Sequence, residues 1–417
     1  MFSQTTRFAV IGDFGANTQP EADVATLVKC WNPEFIITLG DNNYENGEAA
    51  TIDLNIGQYY REFIFPYAGA YGTGSVANQF FPCLGNHDWN TTNATPYLNY
   101  FTLPGNERYY DFVKGPVHFF AIDSDPHEPD GTSSVSPQAI WLRNALADAS
   151  EQWKIVYFHH PPYTSGTRHG STLAMRWPFK QWGATAVFSG HEHIYERLIE
   201  DSIVYVVNGL GGKSLYPLGA PIAGSLVRYN ADYGAMLVDA DADSIRLQFI
   251  TRAEIIVDSY TIHIPPSSVS MELTSGWNLV SLPLTVPDDS VTALFPTATS
   301  EAFRYDVGGY VPSQTLQPGV GYWLRFNADQ SVELFGSPLH QDTIDVEPGW
   351  NLIGSSTKPI ATTDIVMDPQ DNLLSRFFNF DGTYIDVDSL LPGKGYWVKI
   401  NQTGKFIIIP PSRFSEH

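Results

Sequence analysis

The chain has 417 residues, 43% of them hydrophobic and 16% charged, which is enough for two or three domains with sizeable cores and unlike a disordered acidic polymer. A net charge of −22 excludes a protein built to coat nucleic acid or an anionic membrane surface. No apolar run approaches the ~18–20 residues needed to span a bilayer.

The start, Met-Phe-Ser-Gln-Thr-Thr-Arg, has no signal-peptide core and runs straight into a strand pattern over 7–13. A helix is expected over 21–31, with Val24, Leu27, Val28 and Trp31 on one face. A strand over 35–40 and a helix over 56–65 follow, then strands over 80–84 and 118–123. Ser136 caps and Pro137 opens a helix over 138–149. Further strands are expected over 154–158, 184–188 and 203–207. Those over 235–239, 244–250 and 255–264 read as an antiparallel run. Short apolar strands separated by helices imply an α/β layer structure with covered sheets, and the later strands a mixed or second sheet. Cys30 and Cys83 lie in apolar segments and read as buried free thiols rather than a pair.

The pattern changes at Pro265-Pro266-Ser267-Ser268, so one domain is expected over 1–266 and a β-rich one over 267–417. The second contains an internal repeat, about 271–334 and 344–409. Gly276-Trp277-Asn278-Leu279-Val280 returns 73 residues later as Gly349-Trp350-Asn351-Leu352-Ile353. Pro318-Gly319-Val320-Gly321-Tyr322-Trp323-Leu324 returns 74 residues later as Pro392-Gly393-Lys394-Gly395-Tyr396-Trp397-Val398. Two repeats are too few for a solenoid, so one all-β domain of two related halves is expected. At strand spacing, its Trp and Tyr read as core rather than as a ligand platform.

Chemistry concentrates in the first domain, where five strands end in potential metal ligands. The turns are Gly12-Asp13-Phe14-Gly15, Gly40-Asp41-Asn42-Asn43-Tyr44, Gly85-Asn86-His87-Asp88, His159-His160-Pro161-Pro162 and Gly190-His191-Glu192-His193. In open α/β sheets the crevice beyond the carboxyl ends of strands gathers such turns. Carboxylate, imidazole, amide and phenolate donors without thiolate suit Fe, Mn or Zn. Seven donors exceed one tetrahedral site but suit two ions sharing a carboxylate, an arrangement that can clamp a phosphoryl group and activate water.

These five blocks, with Val156-Tyr157-Phe158 before His159 and Ile194-Tyr195-Glu196-Arg197 after His193, resemble those of the purple acid phosphatases. That group lies within the calcineurin-like dinuclear metallophosphoesterases. The resemblance covers about 7–264 and implies a metallophosphoesterase β-sandwich flanked by helices. By this likeness Asp13, Tyr44 and His193 would hold Fe(III). Asn86, His159 and His191 would hold a divalent ion (Zn, Mn or Fe), with Asp41 bridging the two. His87 would meet the phosphate, and His169 would protonate the leaving group. Tyr44 discriminates, because a phenolate favours trivalent iron and many members of the wider superfamily lack a tyrosine there.

Other polar residues receive smaller roles. Arg168 is a candidate contact for the substrate phosphate. His160 adjoins a ligand but points the other way along its strand, so support is expected of it. His118 reads as structural, and Asp123, Asp125 and His127 as a solvated acidic loop. Asn208-Gly209-Leu210-Gly211-Gly212 resembles the family's glycine turn near the metals.

The expected reaction is hydrolysis of small phosphate monoesters, with hydroxide held by the metals attacking in line with the leaving oxygen. A phosphodiesterase or nucleotide hydrolase on the same metals is the alternative within enzymes. From another class, the alternative is a surface-binding protein acting through its repeats, with cell-surface or glycan contact. The repeats resemble modules of secreted bacterial proteins, so an extracellular setting is expected, with the leader absent from this sequence.

Overall fold

Strands β1 (Thr6–Ile11), β2 (Phe35–Thr38) and β3 (Phe80–Pro82) run parallel along one side of a sheet in the first unit, with β3 at its edge, each apolar enough to be covered on both faces. The structure is a computed structural model that describes residues 5–264, 266–306, 308–339 and 343–408. The opening residues 1–4, where no signal-peptide core is read, Pro265 of the expected boundary, and residue 409 at the end of the second repeat lie outside the described residues. The chain forms two compact units, Met1–His263 and Ile264–His417.

The first unit is a sandwich of two mixed sheets. Along the chain come β4 (Tyr110–Lys114), β5 (Val117–Ala121), β6 (Trp153–Tyr157), β7 (Ala186–Ser189), β8 (Tyr195–Glu200), β9 (Ile203–Asn208) and β10 (Ser225–Tyr229). They are followed by β11 (Gly234–Ala240), β12 (Ser244–Thr251) and β13 (Ile256–His263). One sheet has the order β13-β12-β11-β1-β2-β3 and the other β10-β8-β9-β7-β6-β5-β4. Aromatic rings join the inner faces: Phe8 lies 5.0 Å from Phe119, and Phe35 lies 5.3 Å from Phe119 and 6.0 Å from Phe112.

Strand alternation aims the next residue, Phe120, outward, where it packs with Leu142 and Leu146 of the helix Pro137–Asp148. On the opposite outer face, Leu27 of the helix Gln19–Cys30 meets Leu237 and Ile250. Both helices start with a hydroxyl accepting a backbone N–H, as expected for Ser136, while the first helix begins two residues earlier than expected, behind Thr18. Thr18 caps Glu21 at 3.2 Å, and Ser136 caps Ala139 at 3.2 Å.

Three expectations change. The helix over 56–65 is instead a π-turn (Asp53–Gly57), a single α-turn (Gln58–Tyr60) and a 3₁₀ turn (Arg61–Phe63). Long-range hydrogen bonds break it up: the Asp53 carboxylate accepts from Tyr67, Tyr100 and the Ala70 N–H, and Asn55 donates to Asn43. Cys83 is buried but Cys30 is exposed at a helix end, and both are free. The acidic loop is solvated at His127 but not at its carboxylates. Asp123 is buried and accepts from the Trp89 indole at 2.8 Å, and buried Asp125 accepts from His127.

The second unit repeats its architecture. One four-stranded sheet has the order Gly276–Ser281, Gly321–Phe326, Ala302–Asp306, Gly309–Ser313. The other has the order Gly349–Ile353, Tyr396–Ile400, Phe377–Phe380, Tyr384–Val387. Reciprocal bridges tie the halves: Val280 pairs with Lys394, and its repeat equivalent Ile353 pairs with Val320. Tyr322 and Tyr396 are buried as expected, but Trp277 and Trp350 are 42% and 44% exposed, so these two tryptophans are not core. No helix among the described residues is long and apolar enough to cross a membrane.

Candidate metal centre

The turns after β1, β2 and β3 on one sheet and after β6 and β7 on the other bring all seven proposed donors together. Three of these residues adopt left-handed backbone: Asp13 at φ 55°, Asp41 at 50° and His191 at 68°. Such conformations are strained for non-glycine residues and concentrate at functional sites. Gly40, itself at φ 86°, makes room for the centre, since a Cβ there would lie 2.7 Å from the His159 ring.

Two donor clusters share one carboxylate oxygen. In the first, the Tyr44 hydroxyl is 3.2 Å from Asp13 Oδ1, 2.9 Å from Asp41 Oδ2 and 3.2 Å from His193 Nε2. His193 Nε2 is also 3.3 Å from Asp13 Oδ1. In the second, His159 Nε2 is 3.4 Å from the same Asp41 Oδ2, 3.1 Å from Asn86 Oδ1 and 3.1 Å from His191 Nδ1.

The outer shell fixes which atoms point inward. His159 Nδ1 donates to the Leu39 carbonyl at 2.8 Å, leaving Nε2 as a lone-pair donor. His193 Nδ1 meets Ser214 Oγ at 2.7 Å. The Asp13 and Asp41 carboxylates also accept the backbone N–H groups of His191 and His87, both at 2.9 Å. Buried Asp88 accepts from Gly85 and twice from Asn42, pinning the second and third turns together.

The donor set fits cations. Carboxylate oxygens, an amide oxygen and imidazole nitrogens converge at 3.1–3.4 Å with few hydrogens among them, and buried acceptors facing each other are costly. In the protein alone a proton relieves this. Burial pushes the His159 imidazolium down, but the Asp41 charge outweighs it and holds the ring at about 10. Burial, then the Asp41 and Asp13 charges, push the Tyr44 phenol well above its ordinary range. It becomes a phenolate only beside a strong Lewis acid.

The remaining candidates surround the donors. His87 hydrogen-bonds the Glu45 carbonyl through Nδ1 at 2.5 Å, and its Nε2 lies 3.9 Å from Asp41 Oδ2. His169 is exposed, its ring 4.1 Å from that of His191. The backbone N–H groups of His169 and Gly170 donate to Glu192, which anchors the loop. His160 bonds Ser124 Oγ at 2.9 Å, and its ring lies 4.4 Å from that of His191. Arg168 is exposed and stacks 5.9 Å from the Tyr216 ring, which itself lies flat on His193 at 3.9 Å.

The sequence reading missed Glu45, Lys213, Ser214 and Tyr216. Lys213 pairs with Glu45, and its ammonium lies 4.7 Å from the Tyr44 ring. All three of Lys213, Ser214 and Tyr216 follow directly on the 208–212 glycine turn, and that adjacency was the available signal.

The family model described as calcineurin-like phosphoesterase matches residues 6–195. Over these residues the chain is similar to calcineurin-like phosphoesterases, and the relatives it matches are acid phosphatases. Tartrate-resistant acid phosphatase type 5 of Oryctolagus cuniculus is 26% identical over 245 residues, 50% of this chain and 73% of that protein. Purple acid phosphatase 3 of Arabidopsis thaliana is 25% identical over 243 residues, again 50% of this chain but 64% of the relative. The matches therefore leave half of this chain, and a third of the plant relative, outside the comparison. In fold, the chain is similar to a purple acid phosphatase from yellow lupin (Lupinus luteus) seeds, with a TM-score of 0.52 at 17% identity over 63% of this chain and 54% of that one. These likenesses support a hydrolase, and its Asp13, Asp41 and His159 are grouped as metal-ligating side chains can be.

Proposed function

We propose that the chain hydrolyses phosphate monoesters at two metal ions, Fe(III) held by Asp13, Tyr44 and His193 and a divalent ion (Zn, Mn or Fe) held by Asn86, His159 and His191, with Asp41 shared. The observation that carries the reading is the position of Asp41 Oδ2, 2.9 Å from the Tyr44 hydroxyl and 3.4 Å from His159 Nε2, so that one oxygen faces both donor clusters. When bound, such a pair of ions supplies Lewis acidity for the phosphoryl oxygens and lowers the pKa of water.

The protein groups around it have separable tasks. His87 directs Nε2 towards the centre, with Nδ1 fixed by the Glu45 carbonyl, and donates to a phosphoryl oxygen. His169, on a loop anchored by Glu192, carries the proton that the leaving oxygen takes up. Arg168 and Lys213 add positive charge beside an otherwise acidic chain, which supports small anionic esters as substrates rather than polyanions.

The test is a panel of p-nitrophenyl phosphate, its bis-ester and alkyl monoesters against the purified chain, beside metal analysis. Faster turnover of the bis-ester than of the monoester would replace the monoesterase reading with a diesterase one.

A further inference from the structure

The second unit carries a cavity that the phosphoesterase reading leaves unused. Its two sheets present the same aromatic pattern, and each half lends a ring to the other. Tyr305 of the first half lies 4.9 Å from Trp397 of the second, at 72°. Phe380 of the second lies 4.9 Å from Trp323 of the first, at 75°. Around the first of these contacts, a cavity of about 390 Å³ is lined by Tyr305, Trp350, Phe378, Tyr384 and Trp397.

The rings stand across one another rather than forming a flat platform. Trp350 makes 86° with Trp397 and 56° with Phe378. Trp397, 7% exposed, is the floor, while Trp350 at 44% and Tyr384 at 56% form an open rim. The Trp397 indole N–H is itself buried and lies near the Tyr384 hydroxyl.

This chemistry selects among ligands. A sugar needs several hydrogen-bonding side chains, and the lining is five aromatic rings. A primary ammonium would lose its hydration there without replacement. Crossed rings turn several negative π faces towards one space, which attracts a cation whose shell is apolar. The net charge of −22 also favours a cationic visitor.

We propose that this cavity binds a quaternary ammonium group, as in choline. The experiment titrates the full chain with choline and with its neutral carbon isostere, 3,3-dimethyl-1-butanol, followed by tryptophan fluorescence and calorimetry. Saturable choline binding is expected, with the isostere at least roughly tenfold weaker, because removing the charge removes the cation–π attraction. Trp350→Ala should weaken choline binding by a similar factor, and Trp277→Ala in the other half should not. Equal affinity for the isostere, preference for a disaccharide such as cellobiose, or no saturable choline binding would each overturn the proposal. If Trp350→Ala fails to fold, the choline–isostere comparison on the unmutated chain still decides it.

Discussion

The Tyr44 hydroxyl donates a 2.9 Å hydrogen bond to Asp41, the carboxylate that also faces His159 from the other side of the centre. Burial and two neighbouring carboxylates hold the proton on that phenol, so only an ion of high charge would displace it. The choice between a trivalent ion and a second divalent one therefore turns on this side chain.

Tyr44→Phe should bleach the protein. A phenolate donates electron density into Fe(III) and gives a visible charge-transfer band that carboxylates and imidazoles do not. Phenylalanine keeps the ring packed 4.4 Å from His87, so the fold should survive. Visible spectra and metal analysis of the two proteins check this. Iron should fall in the variant and be replaced by a divalent ion.

His169→Ala should leave metal content intact and lower turnover by ~10²–10⁴-fold for alkyl phosphates, with a much smaller loss for activated aryl phosphates. The ring lies beside His191 rather than among the donors, so its loss removes a proton source and not a ligand. An equal loss on both substrate types would shift the acid role to His87.

His118 gives a pH-dependent stability. Its Nε2 meets Asp111 at 2.7 Å and its Nδ1 meets Glu151 at 2.8 Å, and two carboxylates can both be satisfied only by the doubly protonated ring. Burial lowers its pKa, but the two carboxylates outweigh burial and raise it. A folded pKa above the unfolded one contributes stability that is complete below about pH 6.5 and lost as pH rises through the folded value. His118→Gln should therefore be less stable than the parent by ~0.5–1 kcal/mol at pH 5.5, with the gap closing by pH 9. Urea denaturation at both pH values measures it.

A chain cut to residues 5–263 should fold, bind metal and keep its turnover. Every proposed ligand lies in the first unit, which has its own sheets and cores. A truncated protein that holds metal but loses most turnover would mean that the second unit contributes to the reaction.

The donor turns were legible because each follows an apolar strand run and carries a polar residue where the chain leaves the sheet, as Asp13 does after Phe8–Ile11. The strand Tyr195–Glu200 was not. Glu196 and Arg197 look like surface charges, and only the fold reveals that Glu196 accepts from Ser165 and Arg197 pairs with Asp258. The broken helix near Asn55 was hidden for the same reason, since the partners of Asp53 are 14 and 47 residues away. Pattern reading sees local periodicity, and these segments are shaped by distant hydrogen bonds. In the repeats, Trp277 and Trp350 follow strand spacing like core residues, yet occupy edge strands whose faces stay open.

The most direct test of the central claim is the metal content of the purified chain and of Asp41→Asn, measured beside turnover of p-nitrophenyl phosphate. Replacing the shared carboxylate removes one charge from both donor clusters and leaves an amide that bridges poorly. The account predicts two metal ions per wild-type chain, one of them iron, with Asp41→Asn losing more metal than any other single ligand variant and turnover falling with it. Two metals retained in Asp41→Asn, or full wild-type turnover in a chain stripped of metal, would contradict it.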